Sequence, residues 1–397
     1  MPSPLVILDD LPSAVDFYRL YWNRRPFLVR RAIGEDAMAA LIGADVLAGL
    51  AMEEAPQSRM VMTAGDHHDW SCRFGPFTED DFAAAGDADW SLLVQNVEQF
   101  HPETATLLRY FNFAPRWLMD DIMVSFSAKG GSVGPHVDSY HVFLVQGQGT
   151  RRWKVARTPL LEEVYIQGLE LKILETNFDG DDIDVTSGDV LYVPPKFAHQ
   201  GTTIDDALTF SVGFLGPKLS ELYGSYGQYL SEFEGLDQRY VGDGLGPDSA
   251  GFVIGADAAQ KIQGSLTRQL GAKDFTRWLV EFFTESAIED FGEHSERGQT
   301  LDVAAFGAEL KKGTGLTKPE YIKFAITQSA DGEFFLGFNR RSYSLSESAT
   351  AVLHRLMVDD SVTLGRAPEL LNDPATIELL CELYNHQGLE FYRPGDG

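Results

Sequence analysis

Two stretches decide how this chain folds: GGSVGPHVDSYHVFLVQGQGTRRWKV, residues 130–155, and SGDVLYVPPKFAHQG, residues 187–201. Within them HVFLVQG, RRWKVA and DVLYVPP are β-branched or aromatic runs of strand length, punctuated by Gly147, Gly149, Gly188 and Pro194-Pro195. The same texture reaches outward to IMVSFSA at 122–128 and LTFSVGF at 208–214. Many short strands separated by turn signals predict a sandwich or jelly roll rather than a parallel α/β sheet.

The chemistry lies in the same segments. Residues two apart on an extended chain point to one face, so His136 and Asp138 project together while Val137 points away. His199 follows a strand that must leave its ladder at Pro194-Pro195. In an antiparallel jelly roll that late strand can return beside an early one and deliver a third ligand. Two histidines and one carboxylate form a facial triad that binds Fe(II) and leaves positions open for co-substrate and oxygen. A structural zinc site would prefer four closed ligands, usually with cysteine. Oxygenases of this type also need a cation for the far carboxylate of 2-oxoglutarate, which the planar fork of arginine matches. Arg151 and Arg152 are both placed for this role, and alternation alone does not choose between them. Ser125 could add a hydroxyl to the same grip. Tyr140 shares the period of His136 and Asp138, as a lining residue of the substrate mouth or as core.

Elsewhere the chain is less specific. FDGDDID, residues 178–184, lacks calcium-loop spacing and reads as an acidic turn. The first hundred residues read as short helices and loops around one short apolar strand, with Ser13 capping a helix that carries Phe17, Leu20 and Tyr21. Arg24, Arg25, Arg30 and Arg31 read as a solvated rim. After Pro217 the pattern is helical, then mixed: a helix near 301–311, strands in YIKFAITQ and EFFLGFN, and helices near 349–358 and 374–386.

Acidic residues number 59 against 32 basic, a net charge of −27, which disfavours nucleic acid and anionic membranes and favours a basic protein partner or simple solubility. Cys72 and Cys381 form neither a disulfide framework nor a zinc cluster, in keeping with a reducing compartment. The opening stretch MPSPLVILDDLPSAVDFY has no basic leader followed by an apolar region, and no apolar run approaches a membrane span. The expectation is a cytoplasmic protein.

The runs WSLLVQNVEQFHPETATLLRYF (90–111), DDIMVSFSAKGGSVGPHVDSYHVFLVQGQGTRRWKV (120–155), GDVLYVPPKFAHQG and FSVGF closely resemble the bacterial ribosomal oxygenases. Thinner similarity continues in YWNRRPFLVRRA, LAGLAMEE and FGPF. The family comprises cupin, JmjC-type proteins that hydroxylate an arginine of a large-subunit ribosomal protein. The resemblance implies an α+β chain: a double-stranded β-helix oxygenase domain over 1–216 with an N-terminal helical elaboration, a helical dimerisation segment over 217–290, and a winged-helix-like domain over 291–397. It implies iron ligands His136, Asp138 and His199, with Arg151 rather than Arg152 gripping 2-oxoglutarate, aided by Ser125. Fe(II) would be the metal, with 2-oxoglutarate and O2 as co-substrates. A homodimer acting on a ribosomal protein, without direct DNA binding, follows. The iron site alone also admits histidine or asparagine hydroxylation, lysine demethylation, a small-molecule substrate, or a cupin that binds metal without reacting.

Overall fold

Short strands and tight turns fill the first half of the chain. They are β1 (Val6–Leu8), β2 (Phe27–Val29), β3 (Ser58–Met62), β4 (Ser71–Phe74), β5 (Trp90–Val94) and β6 (Met119–Ser127). There follow β7 (His141–Gln148), β8 (Arg151–Ala156), β9 (Gly180–Val185), β10 (Val190–Val193), β11 (His199–Thr203) and β12 (Ala207–Phe214). The computed structural model describes residues 5–63, 70–233, 235–242, 245, 254–271, 273–285, 299–358, 361–362 and 372–392. Two compact units emerge, Met1–Gly216 and Pro217–Gly397.

In the first unit a nine-stranded sheet runs β1-β2-β10-β7-β12-β6-β5-β3-β4, and a three-stranded sheet runs β11-β8-β9. Apart from the parallel β1–β2 pair, every pairing in both sheets is antiparallel. This is the double-stranded β-helix of a cupin. Strand alternation explains why the central runs are apolar throughout. On β7, Val142 and Leu144 enter a core with Trp153, Val155 and Val185 of the small sheet. Phe143 and Val145 enter a second core on the outer face, with Phe17, Phe27 and Phe111 from the N-terminal segments. β10 repeats the pattern, Leu191 and Val193 inward and Val190 and Tyr192 outward. A strand covered on both faces has no polar side to show.

The N-terminal hundred residues depart from the expectation of helices and loops, because β1 to β5 all join the large sheet. These strands are three to five residues long, too short for a periodic signal, and β2 and β5 are wholly buried. FDGDDID is likewise not a turn: Gly180–Val185 is β9, an edge strand paired with β8. Its aspartates bind arginines, exposed Asp184 taking Arg152 and partly buried Asp181 taking Arg157. Arg30 is more than a rim residue. It donates to Asp189, whose side chain is buried, and to the Asp184 carbonyl. The Ser13 cap forms, accepting from the Asp16 amide, and Phe17 and Tyr21 are buried.

In the second unit, helix Lys273–Phe283 lies against a meander of β14 (Phe324–Gln328), β15 (Phe334–Phe338) and β16 (Arg341–Leu345), reached through β13 (Gly315–Thr317). Contact is so close that a Cβ on Gly337 would meet the Val280 carbonyl at 2.2 Å. Phe275 of that helix meets Tyr226 of helix Leu219–Glu232 edge-on, and Trp278 packs against the same ring at a tilt. Helices Val303–Lys311, Glu347–Val358 and Pro374–Asn385 bury Phe306, Leu353 and Leu380 in one core. β13 pairs there with β17 (Ser361–Val362) and β18 (Glu390–Tyr392). Asp373 caps the last helix and Pro374 opens it. Among the described residues no helix is long and apolar enough to cross a membrane.

Candidate active site

His136 and Asp138 do not lie on a continuous strand. His136 forms a single bridge with His199, each amide donating to the other's carbonyl at 3.0 Å. The Asp138 carbonyl then accepts from Lys196 at 3.0 Å, pinning the loop to the turn after Pro194-Pro195. The extended alternation survives without a ladder. Val137 turns away into a cluster with Leu174 and Phe178, while His136 and Asp138 face the cavity beside His199.

The three side chains converge. Asp138 Oδ1 lies 3.9 Å from His136 Nε2, and Oδ2 lies 3.4 Å from His199 Nε2. One ligand atom from each falls within 4.8 Å of the others. His136 Nδ1 contacts the Gly134 carbonyl and His199 Nδ1 the Phe197 carbonyl, both at 3.0 Å. A carbonyl only accepts, so each Nδ1 carries the proton and each Nε2 turns a lone pair to the shared space. Burial, then the neighbouring His199, pushes His136 down to about 4. For Asp138 burial opposes the charge, yet its close neighbours His199, His136 and Tyr140 outweigh it and hold the carboxyl below its ordinary value. Two neutral imidazoles and a carboxylate, with no fourth protein ligand in the cluster among the described residues, fit a divalent metal with open positions.

On β8 the two arginines face opposite ways. Arg151 is buried, whereas Arg152 points outward to Asp184. Arg151 Nη1 reaches Thr209 Oγ1 at 3.2 Å and Ser125 Oγ at 3.5 Å, and Nη2 reaches the Gly201 carbonyl at 3.4 Å. Its guanidinium lies 4.9 Å from the Trp153 ring. These bonds are long, Nε is buried without a partner, and burial pulls the group down to about 10. A desolvated cation with an orphaned donor fits a carboxylate ligand.

Arg151, Ser125, Tyr140 and the triad line one cavity of about 330 Å³, with Leu93, Met123 and Val142 among its apolar walls. Burial, then Asp138 and Asp121, push the Tyr140 phenol up. Sequence reasoning missed Thr209 and Trp153. LTFSVGF held the signal for the first: Thr209 and Ser211 are polar at alternate positions of an otherwise apolar strand, and both line the cavity.

Gly201 is small for a reason. A Cβ there would sit 2.5 Å from Arg151 Nε and 2.8 Å from the Trp153 ring. Gly201→Ala should displace the guanidinium and weaken 2-oxoglutarate binding about tenfold or more. Titration of 2-oxoglutarate against the purified variant measures this, and wild-type affinity would contradict it.

The cupin sheets and the His-Asp-His site define a JmjC-type oxygenase, and residues 106–222 match the JmjC domain family. Ribosomal protein uL16 3-hydroxylase of Escherichia coli (strain K12) is 36% identical over 283 residues, covering 69% of this chain and 72% of that protein. A probable ribosomal oxygenase of Haemophilus influenzae is 40% identical over 208 residues, 52% of this chain and 50% of that protein. The structure of YcfD, a ribosomal oxygenase from Escherichia coli in complex with cobalt and 2-oxoglutarate, superposes with a TM-score of 0.78 at 28% identity, covering 96% of this chain and 98% of that one. The chain belongs to the ribosomal oxygenases, 2-oxoglutarate-dependent enzymes built on the JmjC fold.

Proposed function

We propose that the chain hydroxylates an arginine side chain of a large-subunit ribosomal protein, with Fe(II) held by His136, Asp138 and His199. Arg151 and Ser125 bind the far carboxylate of 2-oxoglutarate in this reading. The observation that carries it is the buried, unsaturated guanidinium of Arg151 opening on the same cavity as the triad. The E. coli relative, whose name specifies uL16, supports a protein of that kind as substrate. Asp121 and Asp120 act on Tyr140 in the same sense as Asp138 and against Arg59, and these two carboxylates, outside the metal cluster, favour a cationic side chain beside Tyr140.

Iron with 2-oxoglutarate and O2 supplies conversion of a C–H bond to C–OH, with succinate and carbon dioxide as the other products. The chain's own residues supply position. Thr209 and Ser125 fix the Arg151 fork, so the co-substrate has one orientation. Tyr140 lines the same cavity beside Asp138 and helps hold its carboxyl ionised. Met123, Leu93 and Val142 keep water from the reacting end.

Incubation with Fe(II), ascorbate, 2-oxoglutarate and the host's ribosomal proteins, followed by intact-mass spectrometry, tests the proposal. One added oxygen on one large-subunit protein, mapped to arginine, is the expected result. Steady succinate without any modified ribosomal protein would move the substrate elsewhere. The net charge of −27 should steer a basic substrate. Raising ionic strength from about 0.01 M to 0.15 M shrinks the screening length from roughly 30 to 8 Å, so kcat/KM for the protein substrate should fall severalfold. A flat salt profile would rule steering out.

The proposed organisation is an oxygenase domain over 1–216, helices of 217–290 that pair two copies, and a winged-helix-like domain over 291–397 that contacts protein rather than DNA. Light scattering at micromolar concentration should give twice the 44.0 kDa chain mass; a monomer would sink the dimer. We place the reaction in the cytoplasm, with the ribosome's components.

A further inference from the structure

The wall of the catalytic cavity continues beyond the co-substrate site. Across the large sheet, Phe74, Arg59, Leu93, Ser125, Thr209 and Gln146 stand directly opposite one another on successive strands. Directly paired residues share a face, so Arg59 looks onto the same concave surface as Ser125. It stands two strands away, about 10 Å across the sheet. Arg59 and Leu93 line both the catalytic cavity and a second groove of about 220 Å³, which Gln57, Gln95, Glu54 and Phe74 complete.

The bonding of Arg59 is incomplete. Its Nε is buried without a hydrogen-bond partner, and Nη2 reaches the Met123 sulfur at 4.0 Å. Among the described residues no carboxylate forms an ion pair with it, in a chain with 59 acids to 32 bases. A buried donor left idle is costly unless a ligand completes it. Arg151 already occupies the position for the co-substrate carboxylate, and Arg59 lies past it, where the cavity meets the groove.

We propose that Arg59 binds a main-chain carbonyl of the substrate polypeptide next to the hydroxylated residue, and that this flanking segment lies in the Gln57–Gln95 groove. The inference rests on the protein-substrate reading above. A basic ribosomal segment offers few carboxylates, whereas every residue offers a carbonyl, and the amides of Gln57 and Gln95 can bond an extended backbone in either direction. Phe74, 64% exposed, supplies an apolar floor at the far end.

The test uses full-length protein and a synthetic peptide spanning the site that mass spectrometry identifies as hydroxylated. Arg59→Met should raise the peptide KM about tenfold or more, the value of a hydrogen bond to a charged group. Affinity for 2-oxoglutarate, read by thermal shift with Co(II), should stay at the wild-type value. Shortening the peptide at one end up to the modified residue should raise the wild-type KM to that of the variant and leave the variant's KM unmoved. Equal peptide KM in wild type and variant would overturn the inference alone. A parallel loss of 2-oxoglutarate affinity would assign Arg59 to the co-substrate site instead. Wild-type succinate production with no hydroxylated ribosomal protein would overturn the substrate reading, and this inference with it.

Discussion

Asp138→Ala is expected to eliminate both succinate formation and peptide hydroxylation, by more than about 100-fold, while the protein remains folded. Loss of a group that merely orients a metal ligand costs about 10–100-fold, and Asp138 is assigned as a ligand itself. Its carboxylate is also the one anion between two neutral imidazoles, 3.4 Å from His199 Nε2 and 3.9 Å from His136 Nε2. Without it two imidazoles remain to hold a dication. The fold should survive because the backbone links of this loop are separate from the side chain: the His136–His199 bridge and the Asp138 carbonyl to Lys196 persist in the variant. Thermal unfolding separates the two effects. Co(II) at 100 times its Kd stabilises a one-site protein by about 2.7 kcal/mol, which is on the order of 5–10 °C for a unit of this size. The wild type should show that shift and Asp138→Ala should not, from similar metal-free midpoints. A variant that cannot fold would make the cluster structural. Hydroxylation persisting in Asp138→Ala would remove the triad from the reaction.

The legibility of this site in the sequence varied with how far each signal depends on tertiary contact. His136 and Asp138 were readable because alternation holds for any extended segment, including one tied down by a single bridge. His199 was readable from the prolines that end β10 and release the chain toward β11. The choice between Arg151 and Arg152 was not. Both sit on β8, and what separates them is which face meets the large sheet, a property of the packed pair of sheets. The two-face burial of β7 and β10 hid their alternation but left their strand character plain. FDGDDID misled because aspartates are poor strand formers, and its pairing depends on arginines at 152 and 157. β1 to β5 are too short to announce themselves, and only the sheet shows where they belong. Arg59 is a case of the same kind. Nothing in QSRMVM marks its side chain as facing a catalytic cavity until β3 is placed beside β5.

Arg151→Met should have opposite effects on binding and stability. At neutral pH the guanidinium is charged in the folded and unfolded chain alike, and burial pulls its folded value down to about 10, so in the absence of ligand its charge disfavours folding. Its hydrogen bonds return little of that, being 3.2 to 3.5 Å long with Nε unpaired. Methionine fills much of the same volume beside Trp153 and releases the Gly201 carbonyl, a 3.4 Å contact, and the hydroxyls of Ser125 and Thr209, which already have carbonyl partners in Thr209 and Gln146. Replacing a buried charge by a packed apolar side chain is often neutral or stabilising by about 1–4 kcal/mol, so the ligand-free variant should melt at or above the wild-type temperature. Binding should move the other way. Removing one side of a buried charge pair costs about 2–5 kcal/mol, roughly 30-fold to several thousandfold in affinity, so 2-oxoglutarate should bind at least 30-fold more weakly. Arg151→Lys should recover only part of this, since a single ammonium cannot match the two-point fork. Calorimetric titration of 2-oxoglutarate with Co(II) present, beside melting curves without either ligand, gives both numbers. A variant that binds 2-oxoglutarate normally would reassign the carboxylate grip. One that binds poorly and also melts far below the wild type would mean that Arg151 supports the small sheet rather than the co-substrate.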